Sequence, residues 1–423
     1  MTQPTTKYDF SNPESVLGRP LELPCGVILK NRLTKSAMSD SLGDGKGNAT
    51  EMQARLYERW AEGGVALSLI GEVQGDPRYP EKPGNLVLGP DTNQKALRSL
   101  ARRGATKGAH LWPQLGHAGA LSHLPISRPK GPSSLDIEGL QCAGMTIEDI
   151  EELPGIYARA ASIAKDAGFG GVQIHAGHGF LLSQFLSPLF NRRTDGYGGS
   201  IDARFRIVGE VIEAVRQAVG TSFPIAIKIN STDKLEGGLT ESEAMEVVRI
   251  LDKTSIDLID ISGGTYFPGA VASSDGASGN GPYFLDFARR VKKVTAIPVM
   301  ATGGFKTRQQ AVKAVESGAV DMVGVARAMA LNPYLTRDWL SVAGGDPVFP
   351  KFEISPSGGV TAWYSMRLTA LAEDNEDEFT LCLESAMRLY EERDAARCDA
   401  WRNTFSPTLS NGSKESSSRP DSP

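Results

Sequence analysis

The sequence predicts an α/β protein: a closed (β/α)8 TIM barrel with an N-terminal hairpin and a C-terminal helical extension. Three observations lead to this fold class. Short apolar runs alternate with amphipathic segments of helical length from about residue 33 to residue 340, and there are eight such runs. No GxGxxG turn follows a strand and opens a helix, as a separate dinucleotide-binding domain would require. Eight strand and helix units in one continuous stretch fit a closed barrel better than an open sheet.

The predicted elements follow one another in regular order. The eight strands are placed at 33–38, 65–70, 109–115, 171–175, 225–229, 258–261, 299–301 and 322–325. The helices between them are placed at 51–61, 93–107, 147–166, 204–219, 241–253, 285–293 and 308–317. Gly168, Gly220 and Gly318 end three of these helices, as expected for residues that adopt a left-handed backbone after the last turn.

Two segments outside this alternation also have a predicted structure. Residues 21–29 predict a short hairpin that turns at Pro24-Cys25-Gly26 and covers the bottom of the barrel. The segment 117–145 contains several prolines and no clear periodicity. It follows the third strand, so we expect a long loop that forms a lid on the substrate-binding face.

The chain is expected to divide into four parts: an N-terminal tail (1–15), the barrel (16–345), a C-terminal helical extension (346–405) and a disordered tail (406–423). The last part is rich in Ser, Pro and Asn and has little apolar surface to bury. Within the extension, apolar residues recur at helical spacing and predict an amphipathic helix packed on the barrel, with a dimer contact as the alternative. These residues are Phe379, Cys382, Leu383, Ala386 and Tyr390.

Composition narrows the range of partners. The 423 residues carry 45 basic and 50 acidic side chains, a net charge of -5, which gives no general attraction to nucleic acid or to an anionic membrane. No secretory leader or stretch of about twenty apolar residues is visible, so a cytoplasmic location is expected. The four cysteines are widely spaced, which predicts neither a disulfide framework nor a clustered metal site. A small-molecule substrate and a monomer or homodimer are expected.

The ends of the predicted strands are rich in polar residues and glycine. In a barrel of this kind the functional side chains lie at the carboxyl ends of the strands. Those ends include Ser39, Glu72, Gln114, His175, Lys228, the Thr302-Gly303-Gly304 turn and Ala326-Arg327. The two glycine-bearing turns after strands seven and eight could hold a phosphate on backbone N–H groups, and ordinary tight turns are the alternative.

Two histidines, His175 and His178, lie three residues apart just after strand four. Both could donate hydrogen bonds to one ligand oxygen. Metal binding is an alternative that would need a third protein ligand, and no such ligand can be assigned from the sequence. A pair of histidines satisfied within a polar loop is the other alternative.

At these positions the sequence resembles the Old Yellow Enzyme family of NAD(P)H-flavin oxidoreductases. The resemblance is carried by HAGHGFLLSQFLSPLFNRRTDGYGGSIDAR at 175–204 and by LKNRLTKSAMSD at 29–40. It extends to QLGHAG at 114–119, IKINSTD at 227–233, MATGGF at 300–305 and VGVARAMALNP at 323–333. It therefore covers roughly residues 16–340, which makes 16–345 an FMN-binding barrel.

The resemblance implies FMN as cofactor and NADPH or NADH as reductant. Ala37, Met38 and Ser39 match positions that contact the flavin ring, and Gln114 matches a side chain that hydrogen-bonds it. Lys228 stands where the family usually has arginine, which keeps the positive charge but loses the bidentate geometry. The phosphate-binding positions are matched by Thr302, Gly303, Gly304, Ala326 and Arg327.

The same resemblance implies that His175 and His178 bind the substrate's carbonyl or nitro oxygen and are the catalytic residues. Two residues after His178 the family normally has a tyrosine that protonates the substrate, and here Phe180 takes its place. Phenylalanine has no transferable proton, so water or Tyr266 would have to supply one. Gly116 stands where some relatives carry a tryptophan, which predicts a wider substrate pocket.

The expected function is that of an ene-reductase-like, FMN-dependent NAD(P)H oxidoreductase. It would transfer hydride from flavin N5 to an activated alkene, a quinone or a similar acceptor. Phe180 leaves open a desaturase or isomerase acting on carbonyl compounds. A non-catalytic flavin-binding protein and a metal-dependent lyase or hydrolase are alternatives of a different class.

Overall fold

The computed structural model describes residues 15–268, 270, 281–341, 344–352, 356 and 358–411. These residues form fourteen strands: β1 (Leu21–Glu22), β2 (Ile28–Leu29), β3 (Leu33–Lys35), β4 (Leu67–Gln74), β5 (Leu86–Val87), β6 (His110–Gly116), β7 (Lys130–Gly131), β8 (Leu135–Ile137), β9 (Leu140–Gly144), β10 (Val172–Ala176), β11 (Ile225–Asn230), β12 (Leu258–Ser262), β13 (Val299–Thr302) and β14 (Met322–Val325).

The helices of the same residues are α1 (Glu51–Glu62), α2 (Gln94–Gly104), α3 (Ile147–Ala167), α4 (Leu181–Leu186), α5 (Ile201–Val219), α6 (Glu241–Leu251), α7 (Leu285–Val291), α8 (Arg308–Glu316), α9 (Arg327–Leu331), α10 (Leu335–Leu340), α11 (Gly359–Ala372) and α12 (Leu383–Asn411). Short 3-10 turns lie at Val16–Gly18, Thr106–Gly108, Gly119–Leu121, Leu124–Ile126 and Glu376–Glu378.

Eight parallel strands close into a barrel. They are hydrogen-bonded in the order β3, β14, β13, β12, β11, β10, β6 and β4, and β4 pairs back with β3. Each strand coincides with one of the eight predicted from the apolar runs, so the (β/α)8 fold class is confirmed. The first strand is shorter than predicted, because the backbone leaves the sheet after Lys35 and rejoins it only at an isolated bridge between Ser39 and Gly71.

The helices begin and end where local chemistry directs them. Thr146, Thr240 and Thr307 each accept a hydrogen bond from the backbone three residues on and complete a capping box at the start of α3, α6 and α8. Gly168 follows α3 with a φ of 93°, a left-handed conformation that a residue with a Cβ rarely adopts.

The predicted hairpin is present and closes the amino end of the barrel. β1 and β2 pair antiparallel, with Leu21 opposite Leu29. Leu29 is fully buried in a cluster with the amino-terminal residues of the barrel strands, among them Leu67 and Met300. The hairpin thus buries an apolar layer that would otherwise face water.

The segment 117–145 is more ordered than predicted. It contains β7, β8 and β9, which form a small sheet in the order β7, β9, β8. The expectation of an irregular loop was wrong here, because strands of two, three and five residues are too short to produce a readable alternation of apolar and polar residues. Its role as a lid stays a prediction.

The C-terminal extension packs on the barrel as two helices, α11 and α12. Leu383 and Ala386 of α12 are buried within the chain, whereas Phe379 and Cys382 precede the helix. The helix continues through Asn411, so 406–411 are helical rather than disordered. Once a helix is nucleated, each further residue adds a backbone hydrogen bond without needing an apolar side chain. Residues 1–14 and 412–423, both predicted to be tails, lie outside the described residues.

Candidate active site

A cavity of about 500 Å³ lies at the carboxyl ends of the barrel strands, a size suited to a cofactor or small substrate. It is lined by nearly all the site residues predicted from the sequence. They are Ala37, Met38, Ser39, Gln114, His175, His178, Phe180, Lys228, Tyr266, Thr302, Gly303, Gly304, Ala326 and Arg327. The barrel strands bring these residues, which span almost 300 positions, to one place.

Gly116 is the predicted site residue that does not line this cavity. A Cβ built on Gly116 would clash with the carboxyl oxygen Oε2 of Glu72. The carboxyl group of Glu72 therefore fills the space that the missing side chain leaves, and the expectation of a substrate pocket widened at Gly116 was wrong.

A chain of hydrogen bonds joins polar side chains across the floor of the cavity. The Gln114 amide donates to Gln173 at 2.6 Å, and the Gln173 amide donates to Asp260 at 3.1 Å. The Thr302 hydroxyl donates to the other oxygen of Asp260 at 2.8 Å. This floor follows from the alternation of inward-facing positions along each strand. Leu258 faces the apolar layer, and Asp260, two residues on, lies beneath the cavity, where it contacts the lining residues Lys228 and Thr302.

Lys228 is held within this floor by an ion pair. Its Nζ lies 2.6 Å from Asp260 Oδ2, and both side chains are buried. Lys228 and Asp260 are register partners on the neighbouring strands β11 and β12. The sequence predicted the lysine's positive charge but not the carboxylate that balances it. Lys228 therefore contributes to the cavity as one half of a neutral pair.

The two histidines are joined to each other at the cavity wall. His175 Nε2 lies 3.1 Å from His178 Nδ1, and His178 Nε2 lies 2.8 Å from the hydroxyl of Ser262. His178 has a φ of 59°, and its backbone N–H donates to the side chain of Asn230 at 2.9 Å. The left-handed turn brings the second imidazole back beside the first.

Burial keeps both imidazoles uncharged. It lowers the pKa of His175 to about 3, with the Lys228 cation acting in the same direction. Burial also lowers the pKa of His178 well below its usual value. Each ring therefore carries a single N–H near neutral pH and can donate it to a ligand oxygen without becoming an imidazolium.

Glu72, which the sequence analysis named only as one of several polar strand ends and with no role, is a further site residue. It lines the cavity and is buried, and its Oε1 lies 2.6 Å from His175 Nδ1, although the two groups are not aligned for a hydrogen bond. Burial raises the pKa of Glu72 to about 8, against the lowering effect of the Lys228 cation. An acidic residue at the end of a predicted barrel strand was the one available signal.

Phe180 occupies the wall of the cavity beside the histidines. Its side chain is buried, and its ring centroid lies 4.9 Å from that of His175. Tyr266 lies farther out with half of its surface exposed, its ring 5.8 Å from His178 and 5.9 Å from Phe180. The structure therefore brings both aromatic residues singled out from the sequence to the side of the cavity where the histidines lie.

The opposite side of the cavity is built from turns with little side-chain bulk. Gly303 and Gly304 follow β13 with φ values of 123° and 80°. A Cβ on Gly304 would clash with the carbonyl oxygen of Gly281, so this turn requires glycine. Ala326 lies between β14 and α9, and Arg327 is the first residue of α9. Exposed backbone and one guanidinium make this side suitable for a phosphate.

The C-terminal helices complete the cavity wall, which the sequence analysis did not predict. Tyr364 of α11 and Tyr390 of α12 both line the cavity. The Arg327 guanidinium lies 5.7 Å from the ring of Tyr364. The hydroxyl of Ser41 donates to Asp394 of α12 at 3.4 Å, which ties this helix to the turn after the first barrel strand.

The described residues show neither a cluster of metal ligands nor a membrane-spanning helix. No three His, Cys, Asp or Glu side chains in this part of the chain converge as a possible set of metal ligands. Among the described helices, none combines the length and apolar character needed to cross a bilayer.

A parallel barrel with a cavity at the carboxyl ends of its strands, lined by a pair of neutral histidines and a glycine turn, defines a cofactor-binding TIM-barrel protein. The chain belongs to the NADH:flavin oxidoreductase / NADH oxidase family, whose model matches residues 17–339. The resemblance to Old Yellow Enzyme seen in the sequence is thereby confirmed. This family binds FMN and uses NADH or NADPH as reductant.

Individual relatives agree with this assignment. The NADH-dependent flavin oxidoreductase iliE of Hypocrea jecorina (strain QM6a) is 34% identical over 351 residues, which cover 75% of this chain and 87% of that protein. The protein of the same name from Neonectria sp. (strain DH2) is 34% identical over 355 residues, covering 76% of this chain and 46% of that protein. The chain thus matches less than half the length of the second relative.

A solved structure supports the fold. The Old Yellow Enzyme homologue from Zymomonas mobilis superposes with a TM-score of 0.68, covering 81% of this chain and 98% of its own. The two sequences are 21% identical, so the likeness supports the architecture and not a shared substrate.

Proposed function

We propose that this protein is an FMN-dependent NAD(P)H oxidoreductase that reduces an activated alkene, a quinone or a similar acceptor. The observation that carries the proposal is the pair of neutral imidazoles, His175 and His178, facing the same cavity as the glycine turn at 303–304. One side of the cavity suits the phosphate of a mononucleotide, and the other suits an electron-poor acceptor with a polar oxygen.

The residues present fit FMN. A Cβ at Gly304 would fill the turn, so the backbone there is open to a phosphate, with Arg327 on the same side of the cavity. Across the floor, Ser39, Gln114 and the Lys228–Asp260 pair offer donors and acceptors for the edge of a flavin ring. When bound, the flavin would take hydride from NADH or NADPH and give it to the acceptor.

The chain's own part in the reaction falls to the histidines. A neutral imidazole N–H donates a hydrogen bond to the acceptor's oxygen, and that bond strengthens as negative charge develops there during hydride addition. The low-dielectric surroundings that depress both histidine pKa values also strengthen this interaction. His175 and His178 are thus proposed to bind the acceptor and to stabilise its reduced oxygen.

Phe180 limits the class of acceptor that suits this site and favours a second candidate function. A buried phenylalanine beside His175 supplies no proton, so acceptors reduced at oxygen or nitrogen, such as quinones and nitro compounds, suit this site better than simple alkenes. The same residue favours, as the second candidate, hydride removal from a saturated carbonyl compound. Tyr266, at the rim, is one proton source that would leave alkene reduction possible.

An anaerobic titration tests the proposal. The purified protein is expected to be yellow and to lose its visible absorbance on addition of NADH or NADPH. Cyclohexenone, a quinone and a saturated cyclic ketone are then added to separate samples. Reoxidation by cyclohexenone indicates an ene-reductase, and reoxidation by the quinone alone indicates that Phe180 restricts the acceptor. A colourless protein that takes up no FMN would contradict the proposal.

The remaining expectations from the sequence are proposed with it. These are a small-molecule substrate, a cytoplasmic location and a monomeric or homodimeric state. Light scattering coupled to gel filtration would decide between the two oligomeric states.

A further inference from the structure

Glu72 is placed in the cavity by an irregularity of the barrel. The pairing of β4 with β6 shifts register between Ile70 and Val73, which is a β-bulge, and Glu72 lies on it with a φ of 54°. Bulges of this kind re-aim a side chain and are common beside active sites. A left-handed glutamate carries a conformational cost that persists only where the surrounding structure imposes it.

The neighbours of Glu72 leave room for its carboxyl group and do not neutralise it by direct pairing. Gly116 on β6 has no side chain, and any Cβ there would clash with Glu72 Oε2. That oxygen has no hydrogen-bond partner among the described residues. The carboxyl group is therefore buried, aimed at the cavity and close to one titratable neighbour, the imidazole of His175.

A line of closely spaced exchangeable groups runs from this carboxyl group. Glu72 Oε1 lies 2.6 Å from His175 Nδ1, close enough to pass a proton once the two groups align, and His175 Nε2 lies 3.1 Å from His178 Nδ1. His178 Nε2 lies 2.8 Å from the Ser262 hydroxyl. All four residues line the cavity. Two neutral imidazoles in series can carry a proton by exchanging tautomers, so neither ring has to become a cation.

We propose that Glu72 holds the proton that Phe180 cannot supply and passes it through His175 and His178 to the reduced acceptor. This inference rests on the proposed function. Glu72 acts through His175, so it is a positioning residue that stores a proton and does not itself touch the acceptor.

The step balances as follows for an enone. A bound, reduced flavin would supply the hydride that forms a C–H bond at the β carbon and breaks the C=C π bond, with the electron pair moving onto the carbonyl oxygen. His178 Nε2–H gives its proton to that oxygen, and His178 Nδ1 takes the proton of His175 Nε2. His175 Nδ1 takes the proton of Glu72. The product is the enol of the saturated ketone, which tautomerises to the ketone in water. Both imidazoles remain neutral in their exchanged tautomers, and Glu72 is left as a carboxylate that solvent reprotonates.

The charges around Glu72 suit this cycle. Its raised pKa of about 8, caused by burial, keeps the carboxyl group protonated at neutral pH. The Lys228 cation on β11 lowers that pKa and stabilises the carboxylate once the proton has left. The other titratable groups that interact with it are Tyr157 on α3 and Glu81, whose pKa burial raises to about 7.

The first test asks whether Glu72 holds a proton in the resting, oxidised holoenzyme, and it needs no turnover. Infrared difference spectra between about pH 6 and about pH 10 are expected to show a carboxylic acid C=O band that disappears with a midpoint near pH 8. Glu72→Gln should lose the component with a midpoint near pH 8 and keep the component near pH 7 that Glu81 contributes. Glu81→Gln, a matched control at a second carboxyl group of the same cavity, should do the reverse. A Glu72 already ionised at pH 6 would overturn the proposal.

The second test separates the proton from the hydride. In wild type, cyclohexenone reduction should fall as pH rises through about 8, because Glu72 then lacks its proton. Glu72→Gln should lower this rate by about 10²-fold and abolish the pH dependence. The rate of flavin reduction by NAD(P)H, measured in the same variant, reports the hydride step separately. Phe180→Tyr in the Glu72→Gln background should restore the rate, because the tyrosine supplies a proton directly.

The outcomes distinguish this inference from the proposed function. Cyclohexenone reduction by Glu72→Gln at the wild-type rate and with the wild-type pH profile would overturn the relay while leaving the oxidoreductase intact. A flavin that neither NADH nor NADPH reduces would remove the proposed function, and the relay with it, whatever the infrared spectra show.

Discussion

The two ends of the barrel are built from the same eight strands and differ in what those strands present to the interior. At the amino end, Leu29 of the hairpin packs on an apolar layer that includes Leu258 and Met300. At the carboxyl end, two residues further along the same strands, the inward positions are Asp260 and Thr302. The apolar residues are satisfied by burial alone, whereas the polar residues need partners supplied by neighbouring strands.

This difference means that the amino end of the barrel contributes mainly to stability, whereas the carboxyl end also carries the residues of the site. Burying an apolar side chain stabilises the fold without requiring exact geometry. Burying a charged or polar side chain costs free energy unless a partner is within reach, and such side chains are retained where function requires them. We therefore expect substitutions at the amino end to change stability alone, and those at the carboxyl end to change stability and activity together.

The largest effect is expected from Asp260→Asn. It keeps the shape of the side chain but leaves the buried Lys228 without its counter-charge. The free energy of unfolding should fall by about 3–5 kcal/mol, as for other buried ion pairs that lose one partner. Chemical denaturation measures it, and adding Lys228→Met should recover much of the loss. If the double variant loses as much free energy of unfolding as Asp260→Asn alone, the unpaired lysine is not the cause of the destabilisation.

His175→Ala should affect activity more than stability. Loss of one donor to a developing oxyanion typically lowers kcat by about 10²–10³-fold, equivalent to about 2.7–4 kcal/mol. The rate of flavin reoxidation by a quinone reports this, and the flavin's visible spectrum serves as the control for an intact holoenzyme. Undiminished reoxidation would exclude His175 from binding the acceptor.

Leu29→Ala tests the amino end. Leu29 is fully buried, so the free energy of unfolding should fall by about 2–3 kcal/mol, at the low end of the range for leucine truncation. Steady-state activity at a temperature where the variant is folded should not change. Ile28→Ala is the matched control, because Ile28 is 58% exposed and its truncation should cost less than about 0.5 kcal/mol. A changed steady-state activity in Leu29→Ala would contradict the expectation that substitutions at the amino end change stability alone.

The smallest effect is expected from mild acid. Burial lowers the pKa of all five histidines, to about 4 for His117 and about 3 for His175. Below pH 6.5 these histidines become protonated in the unfolded chain but stay neutral in the folded chain. The free energy of unfolding therefore falls by about 1.4 kcal/mol per pH unit for each fully buried histidine. Glu72, Glu81 and Asp233, whose pKa values burial raises, act in the opposite direction and offset part of this loss. We expect a net loss of about 1–2 kcal/mol between pH 7 and pH 5.5. Thermal melts at the two values measure it, and a higher Tm at pH 5.5 would contradict it.

The positions of the strands, helices and most site residues followed from local sequence signals. Apolar runs of strand length, capping residues such as Thr146 and the motif around His175 and His178 each act within a few residues of chain. The pairing of Lys228 with Asp260 did not follow, because it depends on the register between two strands separated by a helix. The short sheet in 117–145 was missed for the opposite reason, since its strands are too short to show a period.

What the sequence alone determined is the barrel, its family and the side of the barrel that holds the site, because these depend on periodicity and on a long contiguous motif. Only the tertiary structure decided which protonation states the site can adopt. Glu72 becomes a candidate acid because a bulge turns it inward, Gly116 leaves it space and burial raises its pKa. Protonation depends on the dielectric and on charges brought from distant parts of the chain, and neither can be read from neighbouring residues.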